Sequence, residues 1–237
     1  MHEDEELKNP LHIGTIESLC AAKLPAIVSR FREHHPQVKL QITVETPEEL
    51  IRMMEHDQLD IIYILDAPRW SESWVKAMEA AEPVVFVASP AFWAQKYAEC
   101  EKNGTVKWST KTVGQEEISV RQITLDQILQ EPFFLTEKNA NYRQALDQYL
   151  ASCRCCLSPV LEISDTAFII QMLEQSRGLS FLPLFAVQKQ IWEGTLAAVE
   201  VDDVEISMYR QIFYHKNKFR TREMEQFIIY ASEKENH

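Results

Sequence analysis

Glycine is scarce in this chain: five residues in 237, scattered as Gly14, Gly104, Gly114, Gly178 and Gly194. No glycine-rich phosphate loop can be built from them, and Gly-x-Ser-x-Gly and His-Glu-x-x-His are absent too. Positive charge is also in short supply, with 24 Lys and Arg against 36 Asp and Glu and a net charge of −12. No dense basic run interrupts that balance, so these residues would repel a phosphate backbone rather than bind it. No apolar run approaches the length of a membrane span. The start, Met1-His2-Glu3-Asp4-Glu5-Glu6, lacks the basic residues and apolar core of an export signal and reads as a polar tail. A cytoplasmic location is expected.

Cysteine is few but crowded. Of five, Cys153, Cys155 and Cys156 fall in Cys-Arg-Cys-Cys, an arrangement that suits a reducing compartment better than a disulfide framework. A second ligand pair is missing and no His lies near, so the run reads as a helix end with incidental thiols rather than a metal site. No metal and no cofactor are expected.

What is present is an α/β rhythm. Leu11–Ile16 reads as an apolar strand that turns at once into a helix whose buried face carries Leu19, Leu24, Ile27, Val28 and Phe31. Pro25 inside that pattern predicts a kink or a restart. Val38–Val44 alternates as a strand. Thr46 with Glu49 three positions on predicts a capping box opening the next helix, and Asp57 falls at its end, where Asp tolerates a left-handed backbone. Leu59–Leu65 is mostly apolar, as in a strand buried on both faces.

The strand Glu82–Pro90 follows, then a polar stretch from Tyr97 to Ser119 that reads as a long connection or a short hairpin. A second series comes next: strand Phe133–Thr136, helix Tyr142–Ala151, strand Val160–Ile163, helix Asp165–Gln175, and Gly178 before Leu179–Pro183. A long strand over Ile206–Tyr214 and an amphipathic helix over Glu223–Ser232 close the chain. Two series of this kind predict two lobes.

Three strand-to-helix junctions carry hydroxyls or acids: Thr15-Ile16-Glu17-Ser18, Thr46-Pro47-Glu48-Glu49, and Ser164-Asp165-Thr166-Ala167. Each residue taken singly reads as a helix cap. Together they form what a small polar ligand needs at the carboxyl ends of strands, namely hydroxyls beside free backbone N–H groups. Glu17 complements its helix dipole or acts on a ligand. Trp70 and Trp74, with Arg69 beside them, form a ligand lid, a partner surface or packing at a lobe edge, the last being the expectation.

The run Leu11-His12-Ile13-Gly14-Thr15, followed by Leu24-Pro25, Arg30-Phe31-Arg32 and His35-Pro36-Gln37-Val38, resembles the effector-binding domain of LysR-type transcriptional regulators. The likeness continues through Glu49-Leu50, Leu59-Asp60-Ile61 and Glu82–Ala88 into Gly178–Pro183. It implies an α/β, two-lobed, type II periplasmic-binding-protein-like fold, each lobe a mostly parallel sheet flanked by helices. Two crossover strands would lie near Val84–Ser89 and Ile206–Tyr214. The implied boundaries are a tail or linker-helix remnant at 1–10, lobe I at 11–87 plus 208–237, and lobe II at 88–207. The winged helix-turn-helix that holds DNA in the family is absent from this stretch.

By position, the resemblance implies ligand contacts at Thr15, Ile16, Glu17, Ser18 and Thr46, and at Thr136, Asp165, Thr166 and Pro183, around a crevice between the lobes. It further implies a small-molecule effector, a homodimer or tetramer, and DNA contact only through the missing domain. Asp57 stands where the family often has Gly, Ser176 likewise, and Ala98–Ser119 looks long. A solute-binding protein and an enzyme on the same scaffold are the alternatives. Glu17 is the one acid–base candidate for the latter.

Overall fold

The computed structural model describes residues 7–96, 107–113, 116–175, 178–201, 204 and 206–233. The expectations placed on Met1–Glu6, on residues 97–106 and 114–115 of the polar stretch, and on Ser176 and Arg177 lie outside those residues. The chain divides into two compact units: Met1–Ala81 with Tyr209–His237, and Glu82–Met208.

In the first unit, β1 (Leu11–Thr15) is followed by two helices, α1 (Glu17–Ala22) and α2 (Leu24–His34). Pro25 lies in the first turn of α2, where its missing N–H is harmless, so it marks a restart rather than a kink. Then come β2 (Leu40–Val44), α3 (Pro47–Glu55) and β3 (Ile61–Asp66). β1 runs parallel to both β2 and β3, and the returning strand Ser207–His215 lies antiparallel to β3. Every residue of β3 is buried, as its apolar run demanded.

Leu50, Met54, Leu59, Ile62, Ile64 and Phe213 form one core cluster beneath α3. Gly14 has no space for a side chain: a Cβ there would stand 2.5 Å from Leu59 Cδ1 and 2.8 Å from Leu50 Cδ2. Trp74 packs edge-on against Phe213, at 5.6 Å between centroids, whereas Trp70 is 77% exposed. Lobe-edge packing therefore holds for Trp74 and not for Trp70. Asp57 does adopt the left-handed backbone, φ 58°. Lys218 lies 2.6 Å from Asp57 and 2.8 Å from Asp60. Its hydrogen bond and charge hold the Asp57 carboxyl below the usual range.

Residues 7–9 are tied down. Glu223, 2% exposed in the closing helix Arg222–Ser232, accepts hydrogen bonds from the backbone N–H of Lys8 (3.2 Å) and Asn9 (3.0 Å) and from the Asn9 amide (3.1 Å). Burial opposes its ionisation. Backbone N–H groups of Glu223 itself, Asn9 and Lys8 outweigh that and hold the carboxyl below the ordinary glutamate range. A folded-state pKa lowered in this way gives a stabilisation present above the ordinary range and lost as pH falls through the lowered value. Glu223→Ala should therefore weaken the anchorage by about 1 kcal/mol or more. Trypsin should then cut after Lys8 much faster at pH 7 than it does in the wild-type chain. Equal cleavage rates at pH 7 would show that Glu223 anchors nothing.

The second unit begins inside β4 (Trp74–Ala88), and the helix α4 (Pro90–Lys96) follows. β5 (Lys107–Val113) and β6 (Glu116–Ile123) pair antiparallel, so the polar stretch contains the hairpin. β7 (Phe134–Leu135) and β8 (Leu161–Glu162) are parallel neighbours, β9 (Leu179–Pro183) lies antiparallel to β4, and β10 (Ala197–Val201) pairs antiparallel with β4 and parallel with β6. The sheet of this unit is thus mixed, not mostly parallel. The reason is that β4 runs against the direction of β9 and β10, and that β5 and β6 pair antiparallel. Helices Asn141–Ser152, Thr166–Gln175 and Leu184–Glu193 cover it, over a core including Phe86, Phe133, Leu146, Leu173 and Phe181.

Candidate functional site

The first unit gathers its candidates at the carboxyl ends of β1 and β2. Thr15 sits in register with Val44, and the Glu45 N–H donates to the Thr15 carbonyl at 3.1 Å, which brings Thr46 alongside the turn into α1. The individual roles differ from simple capping. Thr15 is fully buried, and its hydroxyl donates to the Tyr63 carbonyl at 2.9 Å, stitching β1 to β3. The N-cap of α1 is Ile16, in extended conformation, with no side-chain cap. The Ile16 side chain packs against the core cluster under α3.

Ser18 is 3% exposed and its hydroxyl has no hydrogen-bond partner. Glu17 is half-buried in the same turn. Burial, and then the Glu17 charge, raise the pKa of the Cys20 thiol. Thr46 does cap α3, accepting from the Glu49 N–H at 3.4 Å. The reciprocal half of the box is missing because the Glu49 carboxylate turns to Arg52 instead.

The end of β3 adds a group that sequence reasoning missed. Asp66, 6% exposed, pairs with Arg69, whose Nη2 lies 3.0 Å from Glu48 in the first turn of α3. Burial raises the Asp66 pKa in spite of Arg69. Gln211, fully buried, accepts from the Arg69 N–H at 3.0 Å and donates to the Asp66 and Ala67 carbonyls. The only hints in the sequence were an acid closing an apolar run and a Gln inside a strand of alternating pattern.

The second unit repeats the arrangement with different parts. Thr136 follows β7 and Asp165 follows β8, and the Ile163 N–H donates to the Leu135 carbonyl at 3.1 Å, so both lie at the carboxyl ends of neighbouring parallel strands. Pro183 ends β9 and opens the helix Leu184–Glu193. Thr136 is 3% exposed and its hydroxyl has no partner, although its carbonyl accepts from Arg143 at 2.9 Å. Asp165 caps its helix through the Phe168 N–H at 2.9 Å, and Thr166 is buried behind it.

Arg143 was not foreseen. It is 2% exposed, bonded to both oxygens of Asp147 at 3.0 Å and 3.6 Å from Glu162. Its one sequence signal was the four-residue spacing to Asp147 on a helix.

Strand carboxyl ends carrying caps and buried hydroxyls are where α/β folds place small-molecule sites. The chain belongs to the LysR substrate binding domain family, whose family model matches residues 4–101 and 116–235. It is 20% identical over 207 residues to the HTH-type transcriptional activator CmpR of Synechocystis, a match that covers 87% of this chain and 60% of that protein. It is 24% identical over 226 residues to the HTH-type regulator YwqM of Bacillus subtilis, covering 94% and 68%. The chain thus spans about three-fifths of the length of CmpR and two-thirds of that of YwqM.

Among solved structures it resembles the Synechocystis CcmR regulatory domain in complex with 2-PG, with TM-score 0.69, 17% identity and coverage of 95% and 96%. The effector-binding domain of QuiR in complex with shikimate gives TM-score 0.67 and 10% identity at the same coverage. These likenesses show the fold. Among the described residues no helix is long and apolar enough to cross a membrane.

Proposed function

We propose that this chain is the sensing part of a cytoplasmic transcription regulator and that it takes a small polar effector. The observation that carries this reading is a pair of buried hydroxyls, Ser18 and Thr136, each 3% exposed and each without a hydrogen-bond partner. Buried polar atoms in folded proteins are nearly always paired, so two open hydroxyls among the candidate contacts support a ligand meeting them. Each unit offers its own candidate effector contacts: Thr15, Ile16, Glu17, Ser18 and Thr46 in the first, and Thr136, Asp165, Thr166 and Pro183 in the second. The relatives named above are transcription regulators, and two solved neighbours hold small oxygen-rich molecules. Both support the reading.

Effector binding biases a two-state equilibrium by its differential affinity, and a DNA-binding domain joined to this one reads the result. The regulator acts as a homodimer or tetramer, with no enzymatic step. The mixed environment of Glu17 and the α3 N-terminus suits a molecule offering both donors and acceptors.

The test is a thermal-shift screen of amino acids, sugar acids and small carboxylates against the wild-type chain, Ser18→Ala and Thr136→Val. Removing an unpaired buried hydroxyl should leave the unliganded protein as stable or up to about 1 kcal/mol more stable. The same variants should lose most of the shift produced by any compound that stabilises the wild type. Variants that keep the full shift would show that these hydroxyls do not meet the effector.

A further inference from the structure

Three of the five cysteines lie within four residues, Cys153-Arg154-Cys155-Cys156, and the structure fixes the turn that carries them. Where the helix Asn141–Ser152 ends, the Cys155 N–H reaches back to the Leu150 carbonyl at 2.8 Å and the Arg154 N–H to the Ala151 carbonyl at 3.0 Å. This pair of bonds is the helix-terminating motif that places the residue between them in the left-handed region. Arg154 is there, at φ 58°, in a position that usually belongs to glycine. The backbone therefore holds the three thiols on one tight reversal. Cys153 and Cys156 are exposed, and half-buried Cys155 donates its S–H to the Cys153 carbonyl at 3.5 Å.

Cys153 and Cys156 have two residues between them, the spacing of a redox pair. Among the described residues no three His, Cys, Asp or Glu side chains converge as a metal ion requires, which favours oxidation over ligation at this turn. The pairing is also selective. Adjacent residues have Cα atoms only about 3.8 Å apart, closer than the roughly 4.4 Å at which ordinary disulfides begin, which disfavours Cys155 with Cys156.

We propose that Cys153 and Cys156 form a reversible disulfide by exchange with a small-molecule disulfide. One protein thiolate attacks a sulfur of RSSR, giving a mixed disulfide and expelling RS⁻. The second protein thiolate then displaces the remaining RS⁻ and closes the Cys153–Cys156 bond. Two protein thiols are oxidised, RSSR is reduced to two RSH, and the two protons released by the protein end on those products. The same helix carries Arg143, which holds the Thr136 carbonyl, so the bond would close one end of an element whose other end positions a candidate effector contact.

The experiment exposes the native chain to oxidised glutathione, blocks residual thiols by alkylation, and digests without reductant. Trypsin cuts after Arg143, Arg154 and Arg177, which separates Cys153 from Cys155 and Cys156. The expected product is peptide Gln144–Arg154 joined to peptide Cys155–Arg177 alkylated at Cys155, lighter than the sum of those two by two hydrogens and separated by dithiothreitol. Cys155→Ser should keep the joined product, whereas Cys153→Ser and Cys156→Ser should each abolish it. Stable glutathione adducts, full alkylation of all three thiols, or a joined product that survives in Cys156→Ser would overturn the proposal.

Discussion

Replacing Arg143 by methionine should destabilise the second unit by about 3 kcal/mol. Methionine fills much of the same volume but supplies no donors. The Thr136 carbonyl loses its 2.9 Å partner inside the protein, and two charge-assisted bonds to Asp147 disappear. Asp147 and Glu162 are 37% and 40% exposed, so water takes over part of their solvation. That places the cost at the lower end of the range for a broken buried pair. Urea unfolding should show the lower midpoint with an unchanged slope, and amides of the helix Asn141–Ser152 should exchange faster. A change under 1 kcal/mol would mean that the buried guanidinium contributes little beyond its own desolvation.

Gly178→Ala should cost about 2 kcal/mol, for a reason of space rather than charge. A Cβ at this position would stand 2.6 and 2.7 Å from two ring atoms of Phe134. The ring is 6% exposed and belongs to β7, so it can retreat only by moving the strand that leads into Thr136. The loss of stability should therefore come with a weakened response to any effector found in the thermal-shift screen. Phe134→Leu in the alanine background should restore part of both, because the smaller side chain vacates the space. Failure of that pair to recover stability would point to a cause other than the Phe134 contact.

Periodicity made the first unit readable. β1, α3 and β3 each follow a pattern whose period matches the structure, and the Pro25 restart and the left-handed Asp57 follow from local chemistry. The segment Trp74–Ala81 did not declare itself. Its Lys, Ala, Met and Glu are at home in helices, yet it forms the first half of β4, where sheet pairing decides. The helix Leu184–Glu193 and strand β10 did not declare themselves either, because the helix follows straight on the apolar strand β9 with only Pro183 at the join.

At the candidate site the junctions were legible and the directions of side chains were not. Nothing local tells whether Thr15 turns its hydroxyl to a helix or to Tyr63, because the choice depends on a strand 48 residues away. Arg143 and Gln211 look like surface residues until the fold buries them.

The second unit is one unbroken run, Glu82–Met208, set into a first unit that is completed only by Tyr209–His237. During synthesis the inserted unit can finish folding while β3 still lacks its antiparallel neighbour, which is made after that unit. Until that strand emerges, one edge of β3, whose residues are all buried in the finished fold, has nothing to pair with. The interval before residues 209–215 emerge is therefore when a nascent molecule is most prone to stick to another, and when a ribosome-bound chaperone would have most to shield.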